Sequence, residues 1–230
     1  MCLVSYIPLE GGYILSSNRD EFVDRNAVEL KESEIGLFKV SYPLDSQGGS
    51  WIIASDRGRH VVLLNGAFNN HKRTPPYRKS RGVMMKESYE FEDIVDFFEL
   101  YDFVGMEPFT MVILDKEALY EFRWDGYVKH VKQLNKEVHI WSSCTLYDEV
   151  QQEKRAALLR DELENVSSKS LESFAKAHLY HNEEAPEGGL KVRLLENLMT
   201  ISHTQIMKSK GQMRLVHTDL LEDTYENRSI

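Results

Sequence analysis

A chain of 230 residues, 42% hydrophobic and 28% charged, fits one large domain or two small ones and reads as an ordinary soluble globular protein. Its net charge of -9 argues against nucleic acid as a partner, because phosphate contacts need a basic face. Two cysteines, Cys2 and Cys144, are too few for a disulfide framework and point to a reducing cytoplasm, and no apolar run approaches the roughly 20 residues that cross a bilayer.

The opening "MCLVSYIPLEGGYIL" has no basic n-region and is interrupted by Glu10 and two glycines, so a signal peptide is not expected and the chain is expected to start at residue 1 or 2. Two apolar runs, "CLVSYIPL" (2–9) and "YILSSN" (13–18), flank "EGG", where glycine permits the positive φ of a tight hairpin turn. Residues 25–35 lack a clear period and read as irregular or as a short helix. A second hairpin follows, with "SWIIAS" (50–55) and "RHVVLLNGAF" (59–68) around "DRG". The basic stretch "HKRTPPYRKSRG" (71–82) carries two prolines and reads as a solvated loop.

From Ser80, a candidate N-cap, the pattern turns helical, and 90–103 is an amphipathic candidate; the aromatic residues of 90–109 would fill a core or pocket wall, or line a flat hydrophobic ligand site. Strands resume at 109–115, 118–126, 127–134 and 137–143. Helices are expected over 147–166, 170–181 and 189–200. A last hairpin is expected from 201–209 and 212–223. Strands, then helices, then strands predict a layered α+β domain. His178 and His181 at i, i+3 could hold a metal, but with no third ligand nearby they read as a surface helix, and no metal or cofactor is expected. Cys144 reads as a structural thiol.

Hairpin geometry suggests the chemistry. With a turn at 10–12, facing residues sum to about 21–23, by the strict pairing of antiparallel strands. Cys2 then faces Arg19, Asp20 or Glu21, while Asn18 and Asp20 share a strand face and Arg19 takes the other. Arg19 and Glu21 read as an ion pair or as solvated charges. In the second hairpin pairs sum to about 114, which sets Asn65 opposite Gly49, where glycine leaves room for a close approach. A methionine before a small residue is normally removed. That would leave Cys2 with a thiol near pKa 8.5 beside an α-amine near 7.7–8.0, about the ordinary values of those groups and close to neutrality. Attack on an amide carbonyl would need an oxyanion donor, for which Asn65 and a backbone N–H are candidates. Asp20 and Asn18 could position the amine.

The sequence "MCLVSY…SSNRDEF", then "GGSWI", "LLNGAF" and "SRG", resembles the NRDE family, which includes the transport-and-Golgi-organisation proteins. The tetrad Asn18-Arg19-Asp20-Glu21 carries the family's name. Gly48-Gly49-Ser50-Trp51 and Ser80-Arg81-Gly82 match its other motifs, all within roughly the first third of the chain. That family is similar to N-terminal-nucleophile hydrolases of the choloylglycine hydrolase and penicillin V acylase group. The resemblance implies a four-layer αββα sandwich over a single domain, 1–230, acting on a linear, non-peptide amide or related acyl bond of a small molecule. It implies Cys2 as nucleophile, Asp20 beside it and Asn65 after the second hairpin strand, with Arg19, Ser143 and Arg81 as substrate-binding candidates. Members commonly read Leu-Ser-Asn where this chain has Trp141-Ser142-Ser143. The arginine that assists the amidases is replaced here by Ser17. Eukaryotic relatives are implicated in transport and haem handling, so the other reading is a non-catalytic protein that binds haem or an acyl-type ligand.

Overall fold

The computed structural model describes residues 2–166, 168–185 and 188–230, apart from the side chains at positions 2 and 28. In chain order its strands begin with β1 (Cys2–Leu9), β2 (Gly12–Phe22), β3 (Ala27–Ile35), β4 (Phe38–Asp45), β5 (Ile52–Ser55) and β6 (His60–Asn65). Helices α1 (Arg81–Glu87) and α2 (Ile94–Leu100) follow, and then β7 (Phe109–Asp115), β8 (Ala118–Trp124), β9 (Lys129–Leu134) and β10 (His139–Ser142). The remainder is α3 (Glu149–Glu164), α4 (Leu171–His178), β11 (Arg193–Leu195), β12 (Leu198–Ser209), β13 (Gln212–Asp219) and β14 (Thr224–Ser229). No helix among the described residues is long and apolar enough to cross a membrane.

The chain divides into two compact units, one built from residues 1–26, 137–143 and 147–230, the other from 27–136 and 144–146. The first holds an antiparallel sheet in the order β10-β1-β2-β12-β13-β14, with β11 added against β12. Two helices cover one face of that sheet. Leu159 of α3 and Ala177 of α4 pack on Leu3, and Phe174 of α4 packs on Ile7 and Ile14. The sequence makes α3 by a capping box. Asp148 accepts the Gln151 N–H at 2.8 Å, and the Gln151 side chain accepts the Asp148 N–H at 3.0 Å.

The second unit is a meander in which β3 to β9 pair in sequence order. The helices between β6 and β7 close one face of it, where Met84, Met85, Tyr89, Ile94, Phe97 and Phe98 join the inward residues of the strands in one apolar cluster. Each fully buried side chain of this kind contributes about 1.5–3 kcal/mol. Arg59 sits inside this unit with its side chain wholly buried. It makes a forked pair to Asp115 at 3.0 and 3.2 Å and donates to the carbonyls of Ser88, Phe91 and Glu92. A buried guanidinium is tolerated only when so many of its donors are met.

Several expectations are corrected. Residues 27–35 form an edge strand, whose charged side chains on both faces hide the period-2 signal. The helix expected over 90–103 is shortened because Asp93 starts α2 by accepting the Val95 N–H at 2.9 Å. In place of the helix expected over 189–200, the chain forms β11, a turn at 196–197 and the start of β12. Val192 donates to Thr200 Oγ1, and the Thr200 N–H donates to the Val192 carbonyl, both at 2.9 Å, so the segment is fixed as antiparallel backbone. Strands β4 and β14 and the internal position of His178, which is fully buried, were also not anticipated.

Candidate active site

The first hairpin turns on Gly11, at φ +72°, and the next glycine is required by packing: a Cβ on Gly12 would lie 1.8 Å from the Lys208 carbonyl oxygen. The resulting register pairs Leu3 with Asn18 and Cys2 with Arg19. Of the three partners that the turn allowed, Arg19 is therefore the one that faces Cys2. Met1 and the Cys2 side chain, on which the expected processing and nucleophile depend, lie outside the described residues. On the other flank of β1, Leu3 pairs with Ser142, so Ser143 follows at the level of position 2. Ser143 is buried, and its carbonyl accepts the Tyr147 N–H at 3.1 Å.

Asn18 and Asp20 alternate to the helix-covered face and are fully buried. Asn18 donates to the carbonyls of His178 (2.7 Å) and Leu190 (3.2 Å). Its Oδ1 lies 2.7 Å from His203 Nδ1. Because the amide oxygen only accepts, His203 carries its hydrogen on Nδ1. Beside it, Ser5 Oγ meets His178 Nε2 at 2.6 Å, and the two imidazole rings lie 5.2 Å apart. Burial lowers the pKa of His178 to about 3, with the Arg155 charge adding to the effect, and burial holds His203 well below its ordinary range. Both rings are neutral at pH 7.

Asp20 is the centre of a second network. Thr200 donates to Oδ1 at 2.7 Å and Tyr147 to Oδ2 at 3.0 Å, and Arg155 lies 3.5 Å from Oδ2. Arg155 also donates to the carbonyls of Gly189 and Leu190, and its guanidinium lies 4.2 Å from the centre of the Tyr147 ring. Complete burial raises the pKa of the Asp20 carboxyl, and the nearby Arg155, Thr200 and Tyr147 pull it back only in part. The tetrad's last member, Glu21, pairs with Arg25 at 3.1 Å. Neighbouring residues of one strand thus brace both helices and the 188–192 segment on one face, and Arg19 takes the other face.

In the second unit, Ile52 pairs with Val62, the register of the predicted sum, but the β5–β6 ladder runs only from Ile52 to Ala54. The Leu63 N–H donates to the Trp51 carbonyl at 2.8 Å in the same register, Asn65 pairs on its other flank with Phe109 of β7, and the Gly49 N–H donates to Asp45 at 2.8 Å. Gly66, at φ +80°, leaves room for Cys144, whose sulfur lies 3.3 Å from the Asn69 carbonyl. Burial raises the pKa of that thiol. Arg81 follows the Ser80 cap, donates to the Pro108 carbonyl at 3.0 Å, and meets Glu107 at 3.3 Å together with His71 and Arg73.

Residues 1–224 match the family model for Transport and Golgi organisation 2. The chain belongs to that family. No curated protein matches it significantly. Among solved structures, penicillin V acylase from Agrobacterium tumefaciens is similar over 100% of this chain and 86% of its own, with a TM-score of 0.63 and 10% identity. An arginine-to-leucine variant of conjugated bile acid hydrolase from Clostridium perfringens reaches a TM-score of 0.57 at 9% identity, covering 99% of this chain and 92% of that one. A cysteine-to-alanine mutant of the same hydrolase reaches 0.55 at 11%, covering 100% and 96%. At these identities the likeness shows the fold, and that fold is the N-terminal-nucleophile hydrolase type. The α+β class and the family resemblance drawn from the motifs are therefore correct.

This member of the Transport and Golgi organisation 2 family thus carries Cys2, Asn18, Arg19, Asp20 and Ser143 in its first unit and Asn65 and Arg81 in its second. Sequence reasoning missed Tyr147, Arg155, Thr200 and His203, which hold Asn18 and Asp20. Only His203 left a trace, as a polar residue in the alternation of "ISHTQIM". Among the described residues no cluster of three or more His, Cys, Asp or Glu could hold a metal ion.

Proposed function

We propose that the chain is a hydrolase of linear, non-peptide amide bonds or related acyl bonds, with Cys2 as nucleophile once Met1 is removed. In this reading residues 1–230 act as a single domain on a small-molecule substrate in the cytoplasm. The thiol adds to the substrate carbonyl while its own α-amine takes the thiol proton. Asn65 and a backbone N–H donate to the developing oxyanion. The amine passes the proton to the leaving nitrogen as the C–N bond breaks, leaving a thioester on Cys2. Water then cleaves the thioester and returns the thiol, so the net reaction is amide plus water to acid plus amine. Asp20 and Asn18 fix the strand beside the amine, and Arg19, Ser143 and Arg81 bind substrate. The observation that carries the reading is the register of Cys2 against Arg19 within the Asn-Arg-Asp-Glu tetrad, in a chain with this fold. Release of p-nitroaniline from acyl p-nitroanilides by the native chain, and its loss in Cys2→Ser, tests it.

One observation favours the second reading, a non-catalytic protein that binds haem or an acyl-type ligand. The side chains of Asn18 and Asp20 are engaged by His203, Thr200, Tyr147 and Arg155 in bracing contacts. Saturable binding of haemin or acyl-CoA without turnover of any amide would select this reading.

A further inference from the structure

On the helix-covered face of the first unit, Phe174 of α4 packs on Ile7 and Ile14, with Met207 of β12 against the same cluster. The helices stop there. Arg214 of β13 faces Met207, and on β14 Ser229 faces Arg214, so alternation puts Asn227 and Tyr225 on this same face, and Arg214, Asn227 and Tyr225 are all exposed. Between these strands and the first turn of α4 lies a hollow of about 440 Å³, walled by Leu171 and Glu172 and bordered by Lys210 of the β12–β13 turn. That volume falls within the roughly 300–1,000 Å³ of small-molecule sites.

The charges around the hollow are unbalanced. Two cations border it, Arg214 on the floor and Lys210 at the turn, against one carboxylate, Glu172. Among the described residues, the side chains of these three make no hydrogen bond or ion pair. In a chain with 28 basic and 37 acidic residues, a cation readily finds a carboxylate: Arg228, on the opposite face of β14, meets Glu226 at 3.1 Å. The Arg214 backbone is held between β12 and β14, so the position of its side chain is set by two ladders. Asn227 stands two residues and Tyr225 four residues from Ser229, the partner of Arg214, so the hollow runs along roughly 13 Å of strand from guanidinium to phenol ring. A bare anion would leave that length and the Met207, Leu171 and Tyr225 surfaces unused. A neutral ligand would leave the cations unanswered.

We propose that this hollow is a binding site for an elongated aromatic carboxylate. The carboxylate takes the forked N–H donors of Arg214, with the Lys210 charge beside it. The ring system lies over Met207 and against Tyr225, through thioether–aromatic and ring–ring contacts. Ser202 faces Arg19, the partner of Cys2, and Met207 lies five residues further along β12, which sets the hollow roughly 17 Å from the Cys2 end of the sheet. The site therefore rests on neither reading of that end.

Calorimetry on the full chain, comparing naphthylacetate and phenylbutanoate with their neutral amides and with acetate, tests it. At least one aromatic acid should bind about tenfold tighter than its amide, the size of one charge-assisted contact, and acetate should not saturate. Arg214→Gln should remove that difference and Lys210→Gln should reduce it about threefold, whereas Arg228→Gln, the same change of charge on the opposite face, should leave it. Tyr225→Ala should weaken acid and amide alike. Thermal unfolding confirms that each variant folds, and in methionine-methyl NMR the Met207 resonance should move as the acid saturates. Equal binding of acid and amide, no saturable binding, a preference that survives Arg214→Gln, or an unmoved Met207 methyl would overturn the site.

Discussion

Thr200 donates to the Asp20 carboxylate at 2.7 Å from the neighbouring strand, and the two residues are register partners one step before a bulge at Ile201. Asp20 of the motif is thereby tied through Thr200 to Val192, next to the Gly189 and Leu190 carbonyls that Arg155 of α3 holds. Because Arg155 lies 3.5 Å from the same carboxylate and is itself buried, Asp20→Ala strands a charge. Removing one partner of a buried pair costs about 3–5 kcal/mol, whereas Thr200→Val deletes a hydrogen bond to a charged group, about 1.5–3 kcal/mol, together with the acceptor of the Val192 N–H, about 1 kcal/mol more. Urea unfolding of both variants measures the difference.

Acid should destabilise the protein through its buried histidines. The pKa of His178 falls from 6.5 to about 3 and that of His217 to about 4 on folding, in each case chiefly through burial. The unfolded chain therefore binds protons that the folded chain refuses, and stability falls as pH drops below 6.5. At pH 5 each contributes a loss of about 2 kcal/mol relative to pH 7. Asp20 has the opposite sign: its raised pKa makes stability increase as pH falls toward 3.8. The fall in Tm between pH 7 and pH 5 should be smaller in His178→Asn than in the native chain. An unchanged slope would refute the assignment of His178.

The second unit depends on Arg59 in the same way. From the position just before β6, its side chain reaches Asp115 of β7 and the carbonyls of 88, 91 and 92 that lead into α2. Arg59→Met leaves Asp115 buried without its forked partner and is expected to cost about 3–5 kcal/mol. The double variant Arg59→Met/Asp115→Leu should recover part of that loss, and a double-mutant cycle by chemical denaturation reads the coupling.

Gly12→Ala should be among the most damaging of small substitutions. The added Cβ meets backbone, 1.8 Å from the Lys208 oxygen, so β2 and β12 must separate at the turn end of their ladder. Gly11→Ala, with open space around it but a positive φ, should cost only about 1 kcal/mol. Thermal unfolding of the pair separates steric from conformational cost.

The sequence displayed what depends on neighbours in the chain. The Gly11-Gly12 turn fixed the β1–β2 register within three positions, the Asp56–Gly58 turn set β5 on β6, and "FTMVILD" marked β7 end to end. Tertiary pairing was not visible. The leucines of 189–200 fit a helical period as well as a strand, and only the Val192–Thr200 exchange decides between them. Charged residues on both faces concealed β3, and nothing local in "EVQQEKRAALLRDELE" marks Arg155 as the partner of an aspartate 135 residues earlier. In the candidate site the register was legible, while the roles of Asn18 and Asp20 as braces depended on helices whose docking has no signal in the tetrad itself.

The most direct measurement is the intact mass of the native chain, before and after a brief acid-quenched reaction with a p-nitrophenyl acyl ester. The account predicts a chain lacking Met1 that gains one acyl group, mapped by peptide analysis to Cys2 and absent from Cys2→Ala. Retention of Met1, or an acyl group found on Cys144 and none on Cys2, would contradict it.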